Sequence, residues 1–132
     1  MKVNGGSPVG PGFVVYERAP GLVGYDLDLA KASVGAGWHP LLELIFRLLD
    51  MPQHARRPQP YVIQVKEKLG GLRVYLENAG EYESGYVSGL ESASFLICEE
   101  CGERGTLRTD RTWHRTLCEN HSMVDLARIA RR

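Results

Sequence analysis

The chain holds 132 residues, 43% of them hydrophobic and 24% charged, with 16 basic and 16 acidic side chains in formal balance. This length suits one domain able to bury roughly two thirds of its unfolded surface, and the composition excludes an intrinsically disordered chain. A dedicated nucleic-acid binder would carry an overall basic excess, which is absent here.

Residues 1–12 are rich in Gly and Pro and are expected to form a flexible N-terminus, with residues 13–132 forming a single α+β domain. FVVYER (13–18) reads as a short strand closed by Pro20-Gly21. GYDLDLAKASVGAG is ambiguous: Tyr25, Leu27 and Leu29 alternate, the pattern then dissolves, and Gly35-Ala36-Gly37 marks a junction. Trp38-His39-Pro40 reads as an aromatic anchor and helix start. Pro40 opens the clearest helix, 40–50, because proline is tolerated in a first helical turn. Leu41, Ile45, Leu48 and Leu49 form its stripe, widened by Leu42, Leu44 and Phe46, which places it at the centre of the core. MPQHARRPQP (51–60) reads as a surface linker.

YVIQVKEKLGGLRVYLE (61–77) predicts a hairpin turning at Gly70-Gly71, with Tyr61, Ile63 and Val65 on one face. In its second strand Leu72, Val74 and Leu76 alternate with Arg73 and Tyr75. A helix is predicted from Glu81 to Phe95, with Tyr82, Tyr86, Leu90 and Ser94 at helical spacing. GTLRT (105–109) and RTWHRTL (111–117) then pair as a small hairpin, and SMVDLARIARR forms a last helix.

No apolar run approaches the ~20 residues of a membrane-spanning helix. The longest, PLLELIFRLL, is interrupted by Glu43 and Arg47. The N-terminus has no long apolar segment before a small-residue cleavage site, so a cytoplasmic location is expected. Charge is uneven along the chain: residues 77–101 carry six Glu and no Lys or Arg, and residues 102–132 carry seven Arg against four acidic side chains. Such segments pair internally or present a two-signed surface to a partner.

All three cysteines lie near the C-terminus, in ICEECGERGTLRTDRTWHRTLCENH. Cys98 and Cys101 form a C-x2-C turn followed by Gly102, and Cys118 and His121 form a C-x2-H turn. Two such turns supply the four donors of a tetrahedral Cys3His zinc site, so a zinc ribbon is expected over residues 95–125. His114, four positions before Cys118, is an alternative to His121, although it falls in a predicted strand. Four protein ligands close the coordination shell, which points to a structural Zn2+ rather than a catalytic one. A deaminase signature, HExxH, GxSxG, a Walker loop and a dinucleotide fingerprint are all missing, so no enzymatic activity is expected.

GWHP (37–40), VKEKLGGLRVYL (65–76), CEECGERGTLR (98–108), Trp113 and TLCENH (116–121) together resemble an uncharacterised family of small bacterial and phage proteins. Its pattern reads GW-x-P, VKEKFGGLRFY, CE-x-CG-x-x-G-x-x-R and W-x-x-TLC-x-x-H. The resemblance covers about residues 36–122. It implies the order helix, hairpin, helix, zinc ribbon, and supports Cys98, Cys101, Cys118 and His121 as ligands. The chain departs from it at Leu69, where the pattern has an aromatic, and in an additional N-terminal stretch of about 35 residues. No activity comes with the family.

The expected function is therefore a non-catalytic, zinc-stabilised protein acting by protein–protein contact, of the kind found among immunity proteins, toxin inhibitors and phage modulators. The acidic segment 77–100, with Glu81, Glu83 and Glu91, is its candidate surface for a basic enzyme or toxin. The alternative is a nucleic-acid-binding ribbon using Arg104, Arg108, Arg111, Arg115 and Trp113 to neutralise and stack. Lys66, Glu67, Lys68, Gly70, Gly71 and Arg73 could also bind a ligand, but read more simply as a solvated strand face and a turn.

Overall fold

The computed structural model describes residues 24–54 and 57–131. The expected flexible segment 1–12, the strand at 13–18 and the turn at Pro20-Gly21 lie outside them. Within the described residues the fold is α+β, with four α-helices and two separate two-stranded antiparallel sheets.

Helix α1 (Leu27–Ala32) settles the ambiguous stretch. The Asp26 carboxylate accepts a hydrogen bond from Leu29 N at 2.8 Å, so a capping side chain decides against the strand-like alternation. Helix α2 (His39–Leu49) begins one residue before Pro40 and is covered on most of one side. Leu41, Leu42, Ile45, Phe46 and Leu49 are buried, whereas Leu44 is exposed. The linker that follows is only partly superficial: Gln59 is 4% exposed, and its carbonyl accepts from Asn78 Nδ2 at 3.2 Å.

Strands β1 (Tyr61–Lys68) and β2 (Gly71–Glu77) form the expected hairpin, but the turn sits one residue earlier than Gly70-Gly71. Leu69 and Gly70 are its central residues, with φ of 53° and 87°, as a type I′ turn requires. Gly71 already pairs with Lys68. The alternation in β1 also needs correction. A bulge between Val62 and Gln64 leaves Ile63 outside the register, so Val62 joins Val65 in the core in its place.

Helix α3 (Glu81–Ser94) appears where expected, yet its inward face is not the tyrosine stripe. Tyr82 is 74% exposed; Ser94 is buried and Leu90 packs against the core as the stripe expects, but Glu83 and Val87 are buried outside it. The helix packs against the outer edge of β2, whose backbone donors need partners. Leu72 N donates to Ser94 Oγ and Val74 N to Glu91 Oε2, both at 2.9 Å. Polar side chains therefore face inward, closing a strand edge.

The remaining elements are β3 (Thr106–Arg108), β4 (Arg115–Leu117) and α4 (Glu119–Ala130). Thr106 pairs with Leu117 and Arg108 with Arg115, giving the small hairpin predicted from sequence. The main hairpin rests on it, with Thr116 Oγ1 donating to Gly70 O at 2.7 Å.

Candidate metal centre

The first metal turn follows α3 directly. Gly102 N donates to Cys98 O at 2.9 Å and Cys98 N to Glu103 O at 2.7 Å, folding C-E-E-C back on itself. Gly102 closes the turn at φ 83°, a conformation that a side chain would strain. The second turn is the start of α4: Cys118 is its N-cap, and its Sγ accepts from His121 N at 3.4 Å. His121 thus lies on the first helical turn, on the same side as the thiol. Glu99 N donates to Thr116 O at 3.0 Å and joins the two halves.

Cys98, Cys101, Cys118 and His121 bring four donor atoms within 4.8 Å of one another. The Sγ atoms of Cys101 and Cys118 are 3.8 Å apart, and Cys98 Sγ and Cys118 Sγ lie 3.7 and 3.2 Å from His121 Nδ1. A tetrahedral zinc with bonds of about 2.3 Å to sulfur sets its sulfurs about 3.8 Å apart. A disulfide would need about 2.05 Å. The spacing fits a divalent metal, and the donor set is consistent with zinc. Of the two histidines weighed from sequence, the cluster contains His121.

The electrostatics agree with that fit. Burial pushes the Cys98 thiol up, but backbone N–H groups of Cys118, Cys101 and Glu100 outweigh it and bring the thiol down to about 7. At Cys101 the Glu103 N–H favours the thiolate, yet desolvation and the Cys98 and Cys118 thiols prevail and hold it up. Three sulfurs this close cannot all ionise without a cation among them, which a bound metal would supply.

One support for the site was not legible as such. Gly35-Ala36-Gly37, read as a junction, lies against the first metal turn. A Cβ on Gly37 would meet Cys98 O at 1.9 Å, and Gly37 N donates to Glu99 O at 2.9 Å. Trp38, fully buried, donates from Nε1 to Ile97 O at 2.9 Å. The core and the metal turn meet backbone to backbone along this seam.

Of the arginines after Cys101, Arg108, Arg111 and Arg115 are engaged inside the ribbon, whereas Arg128 and Arg131 are exposed. Arg115 donates to Glu99 Oε1 and Asp125 Oδ1, each at 2.8 Å, and also pairs with Glu100. Arg111 donates to Asp125 Oδ2 at 2.7 Å, Ser122 Oγ at 3.0 Å and Asp110 Oδ1 at 3.0 Å. Burial raises the Asp125 carboxyl, but Arg111 and Arg115 outweigh that and leave it below the usual carboxylate range. Glu99 goes the other way: desolvation lifts it, and Arg115 offsets only part of the rise. Arg108 donates to Leu117 O at 3.1 Å. Arg104 is exposed. Trp113 is 69% exposed and donates from Nε1 to Glu67 Oε1 at 3.2 Å.

Of the acidic candidates, Glu81 is exposed, Glu83 is 2% exposed and accepts from Gly80 N at 2.6 Å, and Glu91 is held against β2. In the hairpin, Lys66 lies 5.6 Å from the centroid of the Tyr75 ring, Glu67 Oε2 accepts from Gly70 N at 2.7 Å, and Lys68 is exposed. Arg73 Nε is buried without a hydrogen-bond partner. Arg73 and Glu91 line one cleft of about 280 Å³ between β2 and α3.

Fold and site together define a small α+β protein with a Cys3His metal-binding ribbon. Comparison with family models, curated proteins and solved structures found no match. No helix among the described residues is long and apolar enough to cross a membrane.

Proposed function

We propose that this is a zinc-stabilised, non-catalytic cytoplasmic protein that acts by contact with another protein, with the metal as a structural ion. The observation that carries this reading is the commitment of the ribbon arginines. Arg111 and Arg115, two of the four arginines of the nucleic-acid reading, have side chains only 3% and 16% exposed and are ion-paired to Asp110, Asp125, Glu99 and Glu100. Phosphate binding draws on free cations, so this arrangement weighs against the nucleic-acid reading. A bound Zn2+ held by Cys98, Cys101, Cys118 and His121 would have its four positions filled by protein, which favours a scaffold role over Lewis-acid chemistry. Trp113 remains as a large exposed aromatic beside the ribbon, and such residues dominate protein interfaces. Inhibition of a basic toxin or enzyme, as an immunity protein or phage modulator would do, falls within this reading.

The test is affinity capture from the native host with the zinc-loaded protein, alongside binding to DNA and RNA at low salt. A stoichiometric protein partner that is lost on Trp113→Ala supports the proposal. Nucleic-acid binding that weakens steeply with added salt would overturn it.

A further inference from the structure

Between β4 and α4 lies a cleft of about 420 Å³, lined by Glu99, Trp113, Arg115, Asp125, Arg128 and Ile129. Its volume is near the lower end of small-ligand sites, roughly 300–1,000 Å³, and holds one long side chain. Two observations give the cleft a chemistry. Glu99 is 8% exposed, and its Oε2 is buried without a hydrogen-bond partner, although its other oxygen is held by Arg115. An unsatisfied buried acceptor of this kind is costly, more so when charged. Secondly, among the described residues four carboxylates, Glu99, Glu100, Asp110 and Asp125, form ion pairs with two arginines, Arg111 and Arg115, and Arg128 also lines the cleft. Glu67 adds a further carboxylate at the cleft's edge through its bond to Trp113.

We propose that this cleft receives the cationic head of a basic side chain, arginine or lysine, from the protein partner. The carboxylates supply charge complementarity, Trp113 offers an indole face for a cation–π contact, and Ile129 lies against the aliphatic stem. Arg128 is the opposing charge. It is exposed on α4 and lines the cleft, so it sets a like charge near an incoming cation without neutralising Glu99. This inference rests on the protein-contact reading and names its point of contact.

The experiment titrates zinc-loaded protein with N-acetylarginine amide and N-acetyllysine amide, with N-acetylglutamate amide as the anionic probe, and follows 15N-resolved NMR signals. The chain has two indoles, of which Trp38 is buried in the core and serves as the internal reference. The expected result is a saturable shift at Trp113 Nε1–H, Glu99 and Ile129, with Trp38 unmoved and a Kd of about 1–10 mM, as befits a single side chain. Glu99→Gln keeps the side chain's shape and should weaken binding about tenfold. Trp113→Ala, at an exposed position, should weaken it about threefold, read at the backbone amides. Arg128→Ala should tighten it about twofold by removing a like charge.

Absence of a saturable shift in the wild-type protein would overturn the proposal. So would binding of the anionic probe that is abolished by Arg128→Ala, because the cleft would then be an anion site. Either result leaves the protein-contact reading to its own capture experiment. Conversely, cation binding by a protein that captures no partner would defeat that reading and leave the cleft standing.

Discussion

Around α2 and the main hairpin, twelve buried apolar residues among those described form one cluster, from Ala30 and Trp38 to Val74 and Val87. Around the metal turns the inventory is different. Helix α4 buries only Ser122 and Asp125, and leaves Met123, Val124, Leu126 and Ile129 partly or largely exposed. Burial drives the first region at about 25 cal/mol per Å² of apolar surface, whichever ions are present. The second region is held by four metal donors and a set of ion pairs, and buried ion pairs are poor net stabilisers because desolvation consumes most of their attraction. The body is therefore expected to fold by itself, whereas the ribbon folds on condition that its metal is bound.

Removal of the metal is the largest test of that contrast. Strong chelation, or Cys98→Ser or Cys101→Ser, should unfold residues 95–125, because metal binding in such sites supplies about 10–16 kcal/mol of folding free energy. Hydrogen exchange should show protection lost in β3, β4 and α4 and retained at Leu42 and Val65. Simultaneous loss of protection in both regions would break the comparison. Protein purified without chelator should carry one zinc per chain, and its stoichiometric absence would refute the ligand assignment.

The seam offers the next test. Gly37→Ala places a methyl group 1.9 Å from Cys98 O, where backbone faces backbone and no flexible end can yield. We expect destabilisation of about 3 kcal/mol or more by thermal unfolding, together with weaker metal retention. Ala36→Gly, between the two glycines, is the control. Arg115→Met should act on the ribbon alone, by about 2–3 kcal/mol, since it strands Glu99 and Asp125 without their shared cation. A loss of hairpin protection in Arg115→Met would show that the two regions are coupled beyond the seam.

The sequence made the metal turns legible because their chemistry is local: two ligands three residues apart in each turn, a glycine after the first pair, and a cysteine that caps the helix carrying the histidine. Helix α2 and the main hairpin were legible for a similar reason, since their apolar periodicity sits within a few turns or strands. What escaped was relational. The bulge that swaps Ile63 for Val62 is a property of the pairing with β2. The inward face of α3 mixes Val87 and Leu90 with Glu91 and Ser94 because it also closes a strand edge, which no helical wheel of that segment reveals. Gly37 looked like a junction because its partner, the Cys98 carbonyl, lies about 60 residues away. The charge pattern points to pairing between the arginines and acidic side chains, but which ones, Asp125, Glu99 and Glu100, depends on the fold.

The smallest expected effects concern pH, and they should run in opposite directions at the two ends. In the ribbon, the Asp125 carboxyl is lowered in the folded state, so its contribution is present above the ordinary carboxylate range and is lost as pH falls through the folded value. In the body, Asp50 ends α2, where the helix dipole disfavours an anion, and its Oδ2 is buried without a partner. Burial pushes its carboxyl up to about 6 from an ordinary value of 3.8. The unfolded chain releases this proton first, so between those two values stability falls as pH rises. Asp50→Asn removes the penalty. Discounted for the partial solvent screening of this carboxyl, the gain is about 1 kcal/mol at pH 7 and close to zero at pH 4. Urea unfolding of the body at both values checks it: an equal gain at pH 4 and pH 7 would assign the effect to packing, and no gain at pH 7 would mean that Asp50 is solvated. A body that gains as pH falls from about 6 toward 3.8, beside an Asp125 pairing that is lost only below that range, is the sharpest form of the contrast, since one variant at position 50 should flatten the first response and leave the second unchanged.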